Sequence, residues 1–233
     1  MPEQLTLTLA GAPAATFDNF VPGRNVEAID ALMRFARNDA GETGLVLWGA
    51  RGVGRTHLLK AAVALARENG TVAVYVEDAA ALEDALRGDE TLVAVDDVDR
   101  ADAAAQGRLF TLYNALASRD GHLIAAASAP PAAMPLREDV RTRLGWGLVI
   151  EIVPLADDDK PDALDAFARA RGFSLERDAI AYLLAHSRRD MPSLVRALVA
   201  LDQRSLALRR PITVPLIREW LQQDASTRPD ANG

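Results

Sequence analysis

Within Gly49-Ala50-Arg51-Gly52-Val53-Gly54-Arg55-Thr56-His57 three glycines alternate with basic and hydroxyl side chains. The apolar run Leu45–Trp48 precedes this stretch, and a segment rich in alanine and leucine follows from Thr56. Strand, loop and helix in that order are the context of a phosphate-binding loop. Glycine carries no Cβ, so the loop can turn successive N–H groups inward. Together with the start of a helix those N–H groups make a cradle for an anion. Thr56 stands where the hydroxyl of G-x-x-x-x-G-K-[ST] reaches magnesium. Arg55 takes the lysine position of that pattern. A planar, forked guanidinium is a poor substitute for a compact ammonium at a tight site, so nucleotide binding would rest on the backbone cradle, and efficient turnover is less certain. An ordinary glycine turn is the weaker alternative, because the spacing and both flanks fit.

The second chemical cluster is Thr91-Leu92-Val93-Ala94-Val95-Asp96-Asp97. A fully apolar run suits a parallel strand buried on both faces. Acids at its end fall on the ligand side of an α/β sheet. Asp96 is placed to hold magnesium, and Asp97 to orient an attacking water. The alternative for Asp97 is a turn or cap residue.

Several elements must position these groups. Val26–Arg37 has helical spacing of apolar residues, with Asn25 as a candidate N-cap. Thr56 to about Glu68 continues the phosphate loop as a helix that Asn69-Gly70 stops. Thr71–Val76 is β-rich, and Ala79–Leu86 reads as helix. Gln106–Ala117 is a helix, His122–Ser128 a buried strand broken by Pro130-Pro131, Glu138–Leu144 a short helix, and Leu148–Val153 a fifth strand. Strands alternating with helices mean a parallel sheet covered on both faces. No strand run appears after Pro154. Helices are expected over Asp157–Arg171, Glu176–His186, Ser193–Leu208 and Val214–Leu221, the last with Thr213 as its cap. The expected organisation is a tail at 1–15, an α/β nucleotide-binding domain at 16–154, a small all-helical lid at 155–223 and a polar tail at 224–233.

Composition narrows the class. The 233 residues are 49% hydrophobic, which suits a globular chain. There are no cysteines and three histidines, so thiolate or histidine metal sites are not expected. A formal net charge of -7 opposes general affinity for nucleic acid. No secretory signal or membrane span is read, so a cytoplasmic location is expected. Near the start, Gln4-Leu5-Thr6-Leu7-Thr8-Leu9 alternates apolar and polar residues. On pattern alone it is equally a strand of the protein's own sheet or an extended segment for a partner.

Taken together, the phosphate loop, the acid-ended strand and the helical C-terminal part resemble an AAA+ nucleotide-binding module. Thr16-Phe17-Asp18-Asn19-Phe20 resembles the opening of the AAA+ region of the bacterial initiator DnaA. Arg141-Thr142-Arg143-Leu144-Gly145-Trp146-Gly147-Leu148 resembles its arginine-finger box, and Gly54-Arg55-Thr56-His57-Leu58-Leu59 its phosphate loop. The initiator's helix-turn-helix domain has no counterpart in these residues. Combined with the leader Gln4–Leu9, this resembles the Hda family of DnaA-related regulatory inactivators, in which arginine also occupies the lysine position.

The resemblance covers roughly Gln4 to Leu221. It implies that Gln4, Leu5, Leu7 and Leu9 bind the DNA sliding clamp, the beta subunit of DNA polymerase III. It implies a regulator that docks on ATP-bound DnaA at the replisome and promotes hydrolysis of its ATP. ADP or ATP, with Mg2+, would be held by Gly49, Gly52, Val53, Gly54, Arg55, Thr56 and His57. Arg143 would be the finger supplied to a neighbouring nucleotide; its alternative is a surface salt bridge. Self-association through the same surface stays open, as does a self-sufficient AAA+ ATPase.

Two positions depart from the family pattern. Ser128-Ala129 stands where a polar Asp-Arg pair is usual, leaving Ser128 as the candidate first sensor. The lid arginine that senses phosphate falls on Pro192, with Arg188, Arg189 or Arg196 as substitutes.

Overall fold

A computed structural model describes residues 14–227. The leader Gln4–Leu9 lies outside the described residues. The chain divides after Lys160 into two compact units.

The first unit holds a five-stranded sheet between two layers of helix, as the alternation of strand and helix in the sequence predicts. In chain order its main elements are α1 (Val26–Ala36), β1 (Gly44–Trp48), α2 (Arg55–Glu68), β2 (Ala73–Val76), α3 (Leu82–Ala85) and β3 (Leu92–Val95), followed by α4 (Ala103–Ala117), β4 (His122–Ala127), α5 (Glu138–Gly145) and β5 (Leu148–Glu151). The strand order is β2-β3-β4-β1-β5, and every pairing is parallel.

Side chains alternate across a strand, so each strand feeds two cores. Leu45, Leu47, Ala94, Ile124 and Ala126 pack against Leu32 and Phe35 of α1 and Leu58, Leu59 and Ala62 of α2. Val46, Val93, Val95, Leu123 and Ala125 pack against Leu109, Leu112 and Leu116 of α4 and Val140 and Leu144 of α5. The strands β3 and β4 are buried along their whole length. Their continuous apolar runs reflect that double-sided burial.

Register places the two chemical clusters at one edge. Val95 pairs with Ala125, and Ala125 with Val46, so Asp96 and Asp97 follow β3 at the level of Leu47 and Trp48, the last two residues of β1, although β4 separates the strands. The glycine loop after β1 and the acids after β3 therefore emerge together.

Three local expectations need correction. Asn25 occupies the N-cap position of α1, but its side chain makes no capping bond. Its amide instead donates to the Val153 carbonyl at 3.0 Å, and its oxygen accepts from the Val153 N–H at 2.9 Å. The side chain thus satisfies a backbone stretch beyond the end of β5 that has no strand partner there. The stretch Ala79–Leu86 is not one helix: a 3-10 turn at Ala79–Ala81 leads into the four-residue α3. The Asp78 carboxylate caps that turn by accepting from the Ala80 and Ala81 N–H groups. The third correction concerns the C-terminal helix, below.

Gly147, in the box around Arg143, is explained by packing. A Cβ there would sit 1.8 Å from the Gly44 carbonyl oxygen, so only glycine lets this segment pass against the start of β1.

The second unit is helical, as expected, and is preceded by a 3-10 turn at Asp157–Asp159. It comprises α6 (Lys160–Ala170), α7 (Arg177–His186), α8 (Met191–Leu208) and α9 (Val214–Thr227). Leu164, Ile180, Leu183, Leu194, Leu198, Leu201, Leu216 and Ile217 form its core. Arg171 inserts beside it and pairs with Asp202 through two bonds, Nε at 2.9 Å and Nη2 at 2.8 Å, with both side chains buried. The α8 helix begins at Met191, two residues before the expected Ser193. Pro192 is tolerated in its first turn, and Asp190 caps it by accepting from the Ser193 N–H at 2.9 Å. The α9 helix runs to Thr227 rather than ending at Leu221. Gln222-Gln223-Asp224-Ala225-Ser226 contains no glycine or proline to stop it, and polarity alone does not.

Candidate functional site

The loop between β1 and α2 carries the left-handed backbone that its glycines permit, with φ of 157° at Gly49, 86° at Gly52 and 103° at Gly54. Gly54 is tightly confined as well. A Cβ there would lie 2.6 Å from the Phe20 ring, so the aromatic of the preceding segment seats against the loop. The α2 helix starts at Arg55 with no side-chain cap. Its leading N–H groups are consequently available to an external anion.

Arg55 is 8% exposed. Its Nη2 lies 4.0 Å from Asp97 Oδ1. Its Nη1 is buried without a hydrogen-bond partner. Leaving a charged donor unmatched is costly, and a phosphate oxygen is the acceptor such a group fits.

Asp96 is 5% exposed and organises a small network. Its Oδ2 accepts from Thr56 Oγ1 at 2.5 Å and from the Tyr75 hydroxyl at 3.2 Å, and its Oδ1 accepts from the Asp97 N–H at 3.0 Å. Because Thr56 gives its one proton to Asp96, its oxygen lone pairs remain for a cation. Burial, and then the negative charge of Asp96, push the Tyr75 phenol well above its ordinary value. It is a protonated donor throughout the physiological range.

Asp97 adopts a left-handed conformation, φ 43°, at the start of a 3-10 turn over Val98–Arg100. Its carboxylate is 42% exposed and lies between Arg55 and Arg100, the latter at 3.6 Å. It borders a cleft of about 320 Å³ lined by Glu77, Asp78, Arg100 and Asp102. A larger groove of about 650 Å³ between α1 and β5 involves none of these groups.

The remaining sequence candidates are placed as follows. Ser128, just after β4, directs both its hydroxyl and its N–H to the Asp99 carboxylate. The His57 ring bonds the Thr16 carbonyl at 2.9 Å. A carbonyl can only accept, so Nε2 carries the proton. Burial pushes this histidine below its ordinary value. Its side chain therefore secures the segment before α1, and any part it takes in anion binding falls to its backbone. Arg143, on α5, donates to Asn114 Oδ1 at 3.0 Å and lies over the Phe110 ring at 4.0 Å and the Trp146 ring at 5.2 Å. Trp146 is 64% exposed. In the lid, Arg188 pairs with Asp190 at 3.4 Å and Arg196 donates to Ser193 Oγ at 2.9 Å. Gln4, Leu5, Leu7 and Leu9 lie outside the described residues.

Sequence reasoning overlooked Tyr75 and Asp99. The signal for Tyr75 was non-local. Tyr75 pairs with Ala94 across β2 and β3, and Ala94 shares a face with Asp96. That relation becomes legible only once the pairing is known.

The residues present suit a magnesium nucleotide. There is an uncapped helix start, a buried guanidinium N–H lacking an acceptor, and a hydroxyl–carboxylate pair with free lone pairs.

Comparison with known proteins bears on the fold. Residues 12–79 match the family model described as the bacterial DnaA ATPase domain. Residues 157–221 match the model described as the Hda lid domain. Domain III of DnaA from Thermotoga maritima is similar in structure, with a TM-score of 0.81 and 18% identity over 93% of this chain and 98% of that one. AMPPCP-bound DnaA from Aquifex aeolicus gives 0.68 and 20% identity over 82% of this chain and 65% of that one. The Thermotoga maritima RuvB Holliday junction branch migration motor gives 0.65 and 15% identity over 89% of this chain and 71% of that one. The sheet, its glycine loop and the second unit thus point one way: the chain has the fold of DnaA domain III, with a DnaA ATPase-domain match over residues 12–79 and an Hda lid-domain match over residues 157–221.

Proposed function

We propose that this protein is a negative regulator of bacterial replication initiation, working as a clamp-tethered activator of ATP hydrolysis by DnaA. The observation that carries this reading is the coexistence, on one chain, of a DnaA-type ATPase module and an Hda lid. Gln4–Leu9 would anchor the chain to the sliding clamp. The glutamine amide offers directional hydrogen bonds, and the leucines offer apolar area for a groove. Concentrated at the replisome, the AAA+ module would meet ATP-bound DnaA.

Arg143 would then act in trans. Its guanidinium is already ordered by Asn114 and two aromatic rings. A finger of this kind offsets charge in phosphoryl transfer and is worth about 10³–10⁵ in rate. The product would be ADP-bound DnaA, which no longer initiates efficiently.

The protein's own site would hold ADP or ATP. The Gly49 N–H is already given to the Ala127 carbonyl at 3.2 Å, so backbone N–H groups from Gly52 to His57 would cradle the phosphates, and Arg55 Nη1 would find its acceptor there. Magnesium, when bound, would neutralise phosphate charge, with Thr56 and Asp96 holding it. Asp97 would orient water in any turnover, but Arg55 and Arg100 both compete for its carboxylate. That competition favours a regulator over a self-sufficient motor. No helix among the described residues is long and apolar enough to cross a membrane. A cytoplasmic, replisome-associated location accompanies this reading.

The deciding assay measures hydrolysis of DnaA-bound ATP with DNA-loaded clamp. The unsubstituted protein accelerates it, Arg143→Ala abolishes the acceleration, and Gln4→Ala with Leu5→Ala loses both clamp retention and acceleration. Equal clamp retention by the doubly substituted chain removes the tether from the proposal. Robust ATP turnover by the purified protein alone, lost in Asp97→Asn, establishes the motor instead.

A further inference from the structure

We infer that Tyr75 is a positioning residue that sets the Asp96 carboxylate for magnesium, an inference that rests on reading Gly49–Thr56 and Asp96 as a magnesium nucleotide site. Three donors reach this one carboxylate: Thr56 Oγ1 and the Tyr75 hydroxyl on Oδ2, and the Asp97 N–H on Oδ1. They act from three different elements. Thr56 lies in the first turn of α2, Tyr75 on β2, and Asp97 in the backbone after β3. A carboxylate held at both oxygens cannot rotate freely about its terminal torsion.

The Tyr75 bond is the one that need not exist for the fold. Its ring lies in the sheet face under α2, with the Lys60 ammonium 4.8 Å from the ring centroid. A phenylalanine would fill the same space and keep that contact. What the phenol adds is a hydrogen bond into an acid that is 5% exposed. A half-buried hydroxyl is satisfied by such a partner, and in exchange it fixes the acceptor. The consequence extends to Thr56. Its hydroxyl proton follows Asp96 Oδ2, so the orientation of that carboxylate decides where the threonine lone pairs point. Tyr75 therefore acts on both candidate magnesium groups through a single bond. Partners of metal-holding carboxylates characteristically govern metal affinity in this way.

The test is calorimetric titration of ADP into the whole chain, with EDTA and across a magnesium series. The variants are Tyr75→Phe, Asp96→Asn and the two combined. Tyr75→Phe is expected to leave ADP affinity in EDTA unchanged and to raise the magnesium concentration for half-effect about tenfold. Because Tyr75 acts through Asp96, the combined variant should be no worse than Asp96→Asn alone. An unchanged magnesium midpoint in Tyr75→Phe overturns the inference. So does an equal loss of affinity with and without magnesium, which marks a purely structural ring. If the unsubstituted chain binds ADP with no magnesium dependence, the site reading fails and the inference fails with it.

Discussion

Replacing Asp97 by asparagine should tighten the binding of ADP. In the structure Arg55 Nη2 lies 4.0 Å from Asp97 Oδ1, while Nη1 is buried and unmatched. A phosphate must draw the guanidinium toward itself against that carboxylate. Two unit charges 4 Å apart attract by about 4 kcal/mol at an effective dielectric constant of 20. Asp97 is 42% exposed and shares its charge with Arg100 at 3.6 Å, which reduces the attraction that Arg55 feels. Partly exposed pairs retain about 1 kcal/mol. Releasing Arg55 should therefore raise ADP affinity about fivefold. The gain should shrink at high salt, because the exposed half of the pair is screened.

Calorimetry or fluorescent-ADP titration measures the change, with thermal melting to show that the variant is folded. A second arm places Asp97→Asn on an Arg55→Ala background. There the gain should largely vanish, since the freed group is absent. If Asp97→Asn binds ADP no better than the unsubstituted protein, Arg55 does not serve phosphate. If the gain persists undiminished without Arg55, the cause is the general field of the acidic cleft, and the competition described here is wrong.

Asn25→Ala should destabilise the first unit by about 2–4 kcal/mol, because two hydrogen bonds to Val153 are lost and both backbone groups are left to find water. Urea denaturation should show it, and a change below about 0.5 kcal/mol would put the bridge at the level of an ordinary surface contact. Acid should weaken the fold through His57 and His122, which burial pushes below their ordinary value of 6.5. As pH falls through 6.5 the unfolded chain takes up protons that the folded chain refuses, so stability is full above this value and declines below it. Each histidine can contribute up to about 1.4 kcal/mol per pH unit in that window. Denaturation between pH 7.5 and 5.5 should show a flatter slope in His57→Gln and in His122→Gln, and identical slopes would show that neither histidine is the source.

The five strands, their parallel arrangement and the helical second unit were legible because each depends on local pattern. Leu92–Val95 and His122–Ala127 are apolar at every position since both faces are covered. The glycine loop between β1 and α2 was legible for the same reason: glycine spacing and flanking elements lie within one short segment. Helix ends were less so. Asp190 and Pro192 already carried the start of α8, and polarity after Leu221 was mistaken for the end of α9.

Asn25 shows the limit most clearly. Its residue type suits an N-cap, and the position is one, yet Val153 takes its side chain from 128 residues away in sequence. Nothing local can reveal that competition. Gly147 is similar, for its glycine answers to the Gly44 carbonyl and not to a turn.

By itself, the sequence determined the strands, most of the helices, the glycine loop and the acids at the end of a buried strand, because backbone conformation and burial follow from nearby residue types. Tertiary structure decided which of these groups meet. It aligned β1 and β3 through β4, set Arg55 beside Asp97, turned Ser128 to Asp99, and brought Tyr75 onto Asp96. Those contacts depend on strand order and register, which are settled only when separate apolar faces find one another and exclude water.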